Sequence, residues 1–143
     1  MITGGGSGIG KAIAKRFTDA GATVVIVGRN KEKLESAAAE ISSPRLECMQ
    51  WDISDLSLCE SNFKRAAELI GGLNGFVNAA ALGSAVVTGR GYEPWDITEE
   101  EWDTLTDVNF KAAFFMMRNE VDFMKARGIR GNILNIASNA ACM

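Results

Sequence analysis

Apolar positions recur at helical spacing in four stretches of the chain, separated by short aliphatic blocks that lack that spacing. Ile9, Ile13 and Phe17 lie four apart with Ala12 and Ala20 alongside, which predicts a helix over residues 8–20 with that face inward and Gly21 as its stop. Residues 23–27 are a continuous run dominated by β-branched side chains, the pattern of a strand covered on both faces, and Gly28-Arg29-Asn30 ends it. Leu34, Ala37, Ala38 and Ile41 mark a second helix, closed by Ser42-Ser43-Pro44. Residues 46–51 read as a third strand ending at Asp52. Leu56, Cys59, Phe63, Ala66, Ala67 and Ile70 mark a third helix stopped by Gly71-Gly72. Residues 75–78 are a short fourth strand, and residues 82–97, without periodicity, read as a loop. Thr98 and Glu101 form a capping box that opens a long helix reaching about Arg127, with Gly128 as its stop. Residues 132–136 are a fifth strand, with Ser138 just past its end.

Strand and helix alternate throughout, with no internal repeat. That order predicts right-handed βαβ units, and hence an α/β fold with a Rossmann-type, doubly wound parallel sheet in a single domain. Only Met1, Ile2 and Thr3 precede the first turn, so the chain is expected to start inside its own first strand. Ligands of such sheets bind beyond the carboxyl ends of the strands. The glycine-rich turn, Arg29, Asp52, Asn78 and Ser138 all fall at that edge.

The turn itself, Thr3-Gly4-Gly5-Gly6-Ser7-Gly8-Ile9-Gly10, runs straight into the first helix. Glycine admits positive φ and close approach of a bulky anion. The first N–H groups of a helix have no partner within it and carry its positive dipole end. Together they make a seat for a phosphate or pyrophosphate; the bland alternative is a flexible Gly/Ser loop.

Composition narrows the classes further. The 143 residues suit one domain. The net charge of -3 argues against a general nucleic-acid or membrane-surface binder, and no aliphatic run is long enough to span a bilayer. With no histidine, a Ser-His-Asp triad and a histidine-ligated metal are excluded in this chain. Three cysteines without metal-ligand spacing, and no visible signal peptide, suggest buried thiols in a reducing cytoplasm.

Several segments then coincide with one known family. Thr3-Gly4 with Gly8 and Gly10 matches a TGxxxGxG motif. Asp52-Ile53 matches an acidic residue at the adenine end of a cofactor. Phe76-Val77-Asn78-Ala79-Ala80-Ala81 is similar to an L-V-N-N-A-G segment. Asp107-Val108-Asn109 and Ile133-Leu134-Asn135-Ile136-Ala137-Ser138 match segments that carry a catalytic Asn and a catalytic Ser. Over essentially its whole length the chain resembles the short-chain dehydrogenase/reductase family. Ala79 and Ala81 depart from it, standing where the family has Asn and Gly.

The resemblance implies a cofactor-binding set of Thr3, Gly4, Gly6, Ser7, Gly8, Ile9, Gly10, Arg29, Asn30, Asp52, Ile53, Asn78, Ala79 and Ala80, and a catalytic set of Ser138 and Asn109. Ser138 would hydrogen-bond the substrate oxygen. Asn109, on the apolar stripe of Trp102, Leu105, Ala112 and Met116, would hold a water of a proton relay, with a local helix distortion; a core Asn satisfied by backbone is the alternative. The family's Tyr-x-x-x-Lys is not present: the single tyrosine, Tyr92, has Asp96 four residues on. The chain therefore reads as a fragment without meaningful turnover of its own.

An acid after the second strand would favour NAD(H). That place holds Gly28, followed by Arg29, whose guanidinium can clamp a 2′-phosphate, with Lys31 and Lys33 nearby. NADP(H) is expected over NAD(H), with a small alcohol or carbonyl compound as substrate. A non-catalytic dinucleotide-binding sensor or scaffold is the alternative; a methyltransferase is disfavoured by Gly28. Phe110, Phe114, Phe115, Met117, Val121, Phe123 and Met124 crowd more than one side of the long helix, so a partner subunit or further elements of the chain should cover one side.

Overall fold

The computed structural model describes residues 1–83, 88–89 and 94–138. Five parallel strands, β1 (Ile2–Thr3), β2 (Val24–Gly28), β3 (Leu46–Gln50), β4 (Gly75–Asn78) and β5 (Asn132–Asn135), form one sheet in the order β3-β2-β1-β4-β5. The order reverses at β1, which is the doubly wound arrangement expected from the alternation. β1 is central and only two residues long, paired through Ile2 with Ile26 and Val77. The backbone of Met1 extends it: its carbonyl accepts from the Val77 N–H at 2.9 Å, and its amine donates to the Gly75 carbonyl at 2.8 Å.

Helices α1 (Gly8–Asp19) and α2 (Lys31–Ile41) cover one face of the sheet, and α3 (Cys59–Ile70) and α5 (Ala113–Ala126) cover the other, α4 (Glu99–Thr106) leading into α5 without a buried residue of its own. β2 shows why its sequence is unbroken in hydrophobicity. Val24 and Ile26 pack with Ala14, Leu34 and Ala37, while Val25 and Val27 pack with Met49, Phe63 and Phe76. On the second face Phe63 meets Trp51, Phe76 and Phe123 edge-on, with centroids 5.1 to 5.9 Å apart.

Two helix faces differ from the sequence expectation. In α1 the buried residues are Gly10, Ala14 and Thr18; Ile9 is 61% exposed, Phe17 40%, and Ala12 and Ala20 are also exposed. The helix lies so close to the glycine turn that a Cβ on Gly10 would collide with the Gly4 carbonyl oxygen. Only small side chains fit that line of contact; Ile9 and Phe17 turn away from it, and Ile13, half-buried, packs against the core as expected.

The long helix is one continuous feature, but a π segment (Asp107–Ala112) separates α4 from α5. The buried stripe is Val108, Ala112, Met116, Glu120, Phe123 and Met124. Trp102 and Asn109 are exposed and Leu105 is half-buried, so the stripe drawn through them from sequence is corrected. A widened turn inserts an extra residue into the helix and shifts its phase, which a single 3.6-residue period cannot follow.

Candidate functional site

At the carboxyl ends of β1, β2 and β4 the chain forms a cleft of about 400 Å³. Its floor is the glycine turn, with Gly4, Gly6, Ser7, Gly8, Ile9 and Gly10 on the lining. Gly4 has φ +67°, and a Cβ there would stand 2.8 Å from the Ala79 carbonyl oxygen, so the turn is pressed against the β4 exit. The Gly5 N–H donates to the Val27 carbonyl at 3.2 Å and ties the turn to β2. Ser7 occupies the N-cap of α1 without a side-chain capping bond, and the first turn carries no acid. The opening N–H groups of α1 thus face the cleft with no carboxylate competing for them, a suitable environment for an anion.

One end of the cleft is polar. Arg29 Nη1 lies 4.0 Å from Asp52 Oδ2, both side chains about half exposed. Asp52 Oδ1 accepts from the Ser54 N–H at 3.0 Å and the Ser54 hydroxyl at 2.8 Å, which fixes the carboxylate beneath the guanidinium. The Arg29 carbonyl accepts from Gln50 Nε2 at 2.9 Å, locking the β2 tip to β3. Asn30 lines the cleft, but its side chain is committed to capping α2, accepting from the Lys33 N–H at 2.7 Å. Lys33, Trp51 and Ile53 complete this end, and Ala79, Ala80, Ala81, Leu82 and Val108 form the opposite wall.

The predicted residues thus converge with few exceptions. Thr3 is buried behind the cleft, where its hydroxyl oxygen accepts from the Ala79 and Ala80 N–H groups, both at 3.2 Å. It shapes the wall without lining it. Asn78 also points away: its Nδ2 donates to Glu120 Oε2 at 3.0 Å and to Asn135 Oδ1 at 2.9 Å. Asn109, at the middle of the π segment, makes a reciprocal pair with the Leu82 backbone, accepting from its N–H and donating to its carbonyl, both at 2.8 Å. Ser138 lies exposed beyond β5, at the same edge of the sheet but outside the cleft lining. Tyr92 and Cys142 lie outside the described residues. Among the described residues there is no cluster of metal-ligating side chains and no helix long and apolar enough to cross a membrane.

Glu120 was not singled out by sequence. The available signal is its spacing, four residues after Met116 and four before Met124 on the buried stripe.

A family model described as short chain dehydrogenase matches residues 1–143, the whole chain. The chain belongs to the short-chain dehydrogenase family. An uncharacterized oxidoreductase of Staphylococcus aureus (strain MW2) is 34% identical over 139 residues, which is 96% of this chain and 57% of the relative. The 3-ketoacyl-(acyl-carrier-protein) reductase of Brucella melitensis, solved with NADH, superposes with a TM-score of 0.84 at 33% identity over 98% of this chain and 56% of its own. A closed form of serine dehydrogenase, solved with NADP+, gives a TM-score of 0.82 at 29% identity, over 100% of this chain and 56% of that one. The chain therefore spans about 57% of the length of the curated relative.

Proposed function

We propose that this chain is the nucleotide-binding part of an oxidoreductase that moves hydride between NADP(H) and an alcohol or carbonyl substrate. The observation that carries the reading is the single cleft in which the α1 N-terminus, Arg29, Asp52 and the Ala79–Ala81 wall meet. The residues fit a dinucleotide. The acid-free opening of α1 suits the diphosphate, the pressed-in glycines clear the backbone for it, and the polar end by Arg29 and Asp52 suits the adenosine. NADH and NADP+ in the two similar solved structures support a nicotinamide cofactor in general.

The preference for the phosphorylated form rests on this chain's own residues. Gly28 at the β2 tip offers no carboxylate to repel a 2′-phosphate, and Arg29 stands beside it with a planar donor face. Asp52 tempers this, because it already holds part of the guanidinium's charge; NAD(H) is the alternative ligand. Asp52 and Ile53 would border the adenine, and Ala79 and Ala80 the inner riboses. When bound, the nicotinamide would supply or take up the hydride. Ser138, at the same sheet edge, would hydrogen-bond the substrate oxygen. Asn109 would hold the Leu82 segment against the cleft, and its remaining Oδ1 lone pair and Nδ2 hydrogen would be the groups to hold a relay water. We also read the exposed Trp102, Phe110 and Phe114 as a face for a second subunit in the whole protein.

Equilibrium titration with NADPH and NADH tests the reading. Tighter NADPH binding, weakened about tenfold or more by Arg29→Ala with NADH little changed, is expected from loss of a charge-assisted contact. Equal affinities that the substitution does not move would defeat the NADP(H) preference, and no uptake of either nucleotide would defeat the function.

A further inference from the structure

Glu120 is the group that neither the cleft nor the core explains. It is wholly buried, with 0% of its surface exposed, on the stripe of α5 that otherwise carries Met116, Phe123 and Met124. Its Oε2 accepts one hydrogen bond, from Asn78 Nδ2 at 3.0 Å, and its Oε1 has no partner among the described residues. A carboxylate so placed is expensive unless it is neutral or paired.

Among the described residues, its neighbours offer no positive charge at neutral pH. From β1 comes the Met1 amine, which burial pushes down to about 5 despite the attraction of Glu120. From α3 comes the Cys59 thiol, which burial pushes up, with Glu120 adding to the rise. From β4 and β5 come the neutral amides of Asn78 and Asn135. Burial accordingly pushes the Glu120 carboxyl up to about 7, against the opposing effects of the Asn78 bond and the Met1 amine.

The single bond matters because of what Asn78 joins. The same Nδ2 that meets Glu120 also donates to Asn135 Oδ1, and the Asn78 carbonyl accepts from the Ile136 N–H at 2.9 Å. Asn78 thus couples the last residue of β4 to the last residue of β5. The next residues of β4's exit, Ala79 and Ala80, are cleft wall, and three residues beyond Asn135 stands Ser138.

We infer that Glu120 is a positioning residue for the dinucleotide cleft: its carboxyl holds the Asn78 amide, which fixes the joined tips of β4 and β5, and loss of its proton weakens nucleotide binding. The inference rests on the dinucleotide reading above. The neutral acid keeps α5 seated on the sheet while Oε2 accepts from Asn78. Among the described residues the ionised acid has one donor and no countercharge, so it is relieved by movement of α5 or entry of water, and either loosens the Asn78 clasp.

The test is NADPH affinity of the parent, Glu120→Gln and Glu120→Met, each at about pH 6 and about pH 8.5, on either side of the carboxyl's titration. Gln keeps an acceptor for Asn78 without a proton to lose. Met matches Met116 and Met124 in volume, so it keeps the stripe packed while removing the acceptor. The parent should bind as tightly as the Gln variant at the lower pH and about fivefold more weakly at the higher, a coupling typical of linked sites. The Met variant should bind more weakly than Gln at both, by a pH-independent factor. Comparing each variant with the parent cancels titration of the NADPH phosphate itself. Parent and Gln profiles that run parallel, or a Met variant equal to Gln, overturn this inference alone. A parent that takes up no NADPH overturns the dinucleotide reading, and this inference with it.

Discussion

Helices α1 and α5 face opposite sides of the same sheet and break the expectation of an amphipathic helix in opposite ways. α1 exposes its largest apolar residues, Ile9 and Phe17, and buries Gly10, Ala14 and Thr18. α5 buries a carboxylic acid among methionines and phenylalanines. In α1 the determining quantity is distance: the helix is drawn in until its backbone meets the glycine turn at Gly10, and the buried line carries only hydrogen, methyl and hydroxyethyl side chains. In α5 it is a specific partner: Glu120 accepts a hydrogen bond from the Asn78 amide at the end of β4. Ile9 and Gly10 of the first departure line the cleft, while Glu120 reaches it only through Asn78 and the β4 exit.

The comparison can be broken first at α1. Gly10→Val should destabilise the protein by about 4 kcal/mol, since overpacking against backbone leaves no side chain free to yield. A denaturant midpoint close to the parent's would show that the contact with Gly4 is loose. Next comes the acid of α5. Its pKa is raised on folding, so its contribution is complete below about 4.5 and is lost as pH rises through about 7. The loss amounts to about 3 kcal/mol. The Met1 amine, pushed down to about 5, pulls the opposite way across the same interval, so the measurement is the difference in unfolding free energy between parent and Glu120→Gln from pH 5 to 8. A difference that stays constant with pH would mean the carboxyl keeps its ordinary titration. Smaller is Thr18→Ala, which removes a hydroxyl donating to the Lys15 carbonyl at 2.9 Å; about 1 kcal/mol is expected from chemical denaturation. Smallest is Ile9→Ser. Its stability should stay within about 0.5 kcal/mol of the parent, because the side chain is 61% exposed. Nucleotide affinity should nonetheless fall, since Ile9 lines the cleft.

Much of this was legible in the residues, and what was not has identifiable causes. The element order, the parallel sheet and the capping box at Thr98 follow from periodicity and caps. So does the gathering of Gly4, Gly8, Gly10, Arg29 and Asp52 at one cleft, because βαβ connections bring every strand's carboxyl end to the same edge. The inner face of α1 differs from its apolar spacing because a hydrophobic pattern records which residues are apolar, not how near the helix is drawn. The buried stripe passes beside Asn109 because the π segment at Asp107–Ala112 has no signature in apolar spacing; the distortion at Asn109 was implied only by the family resemblance. Asn78 and Thr3 were placed at the right edge, but the sequence holds no sign of which way their side chains turn. One leads to Glu120, the other to the Ala79 and Ala80 amides.

A dinucleotide's diphosphate, on the proposed reading, rests on the amides that open α1. Amide chemical shifts during titration with NADPH report it directly. The largest changes are expected at Ser7, Gly8, Ile9 and Gly10, with smaller ones at Arg29 and at Ala79 and Ala80. Saturable binding whose shifts instead fall at the opposite end of the strands, around Ala22, Gly72 and Asn74, would contradict it.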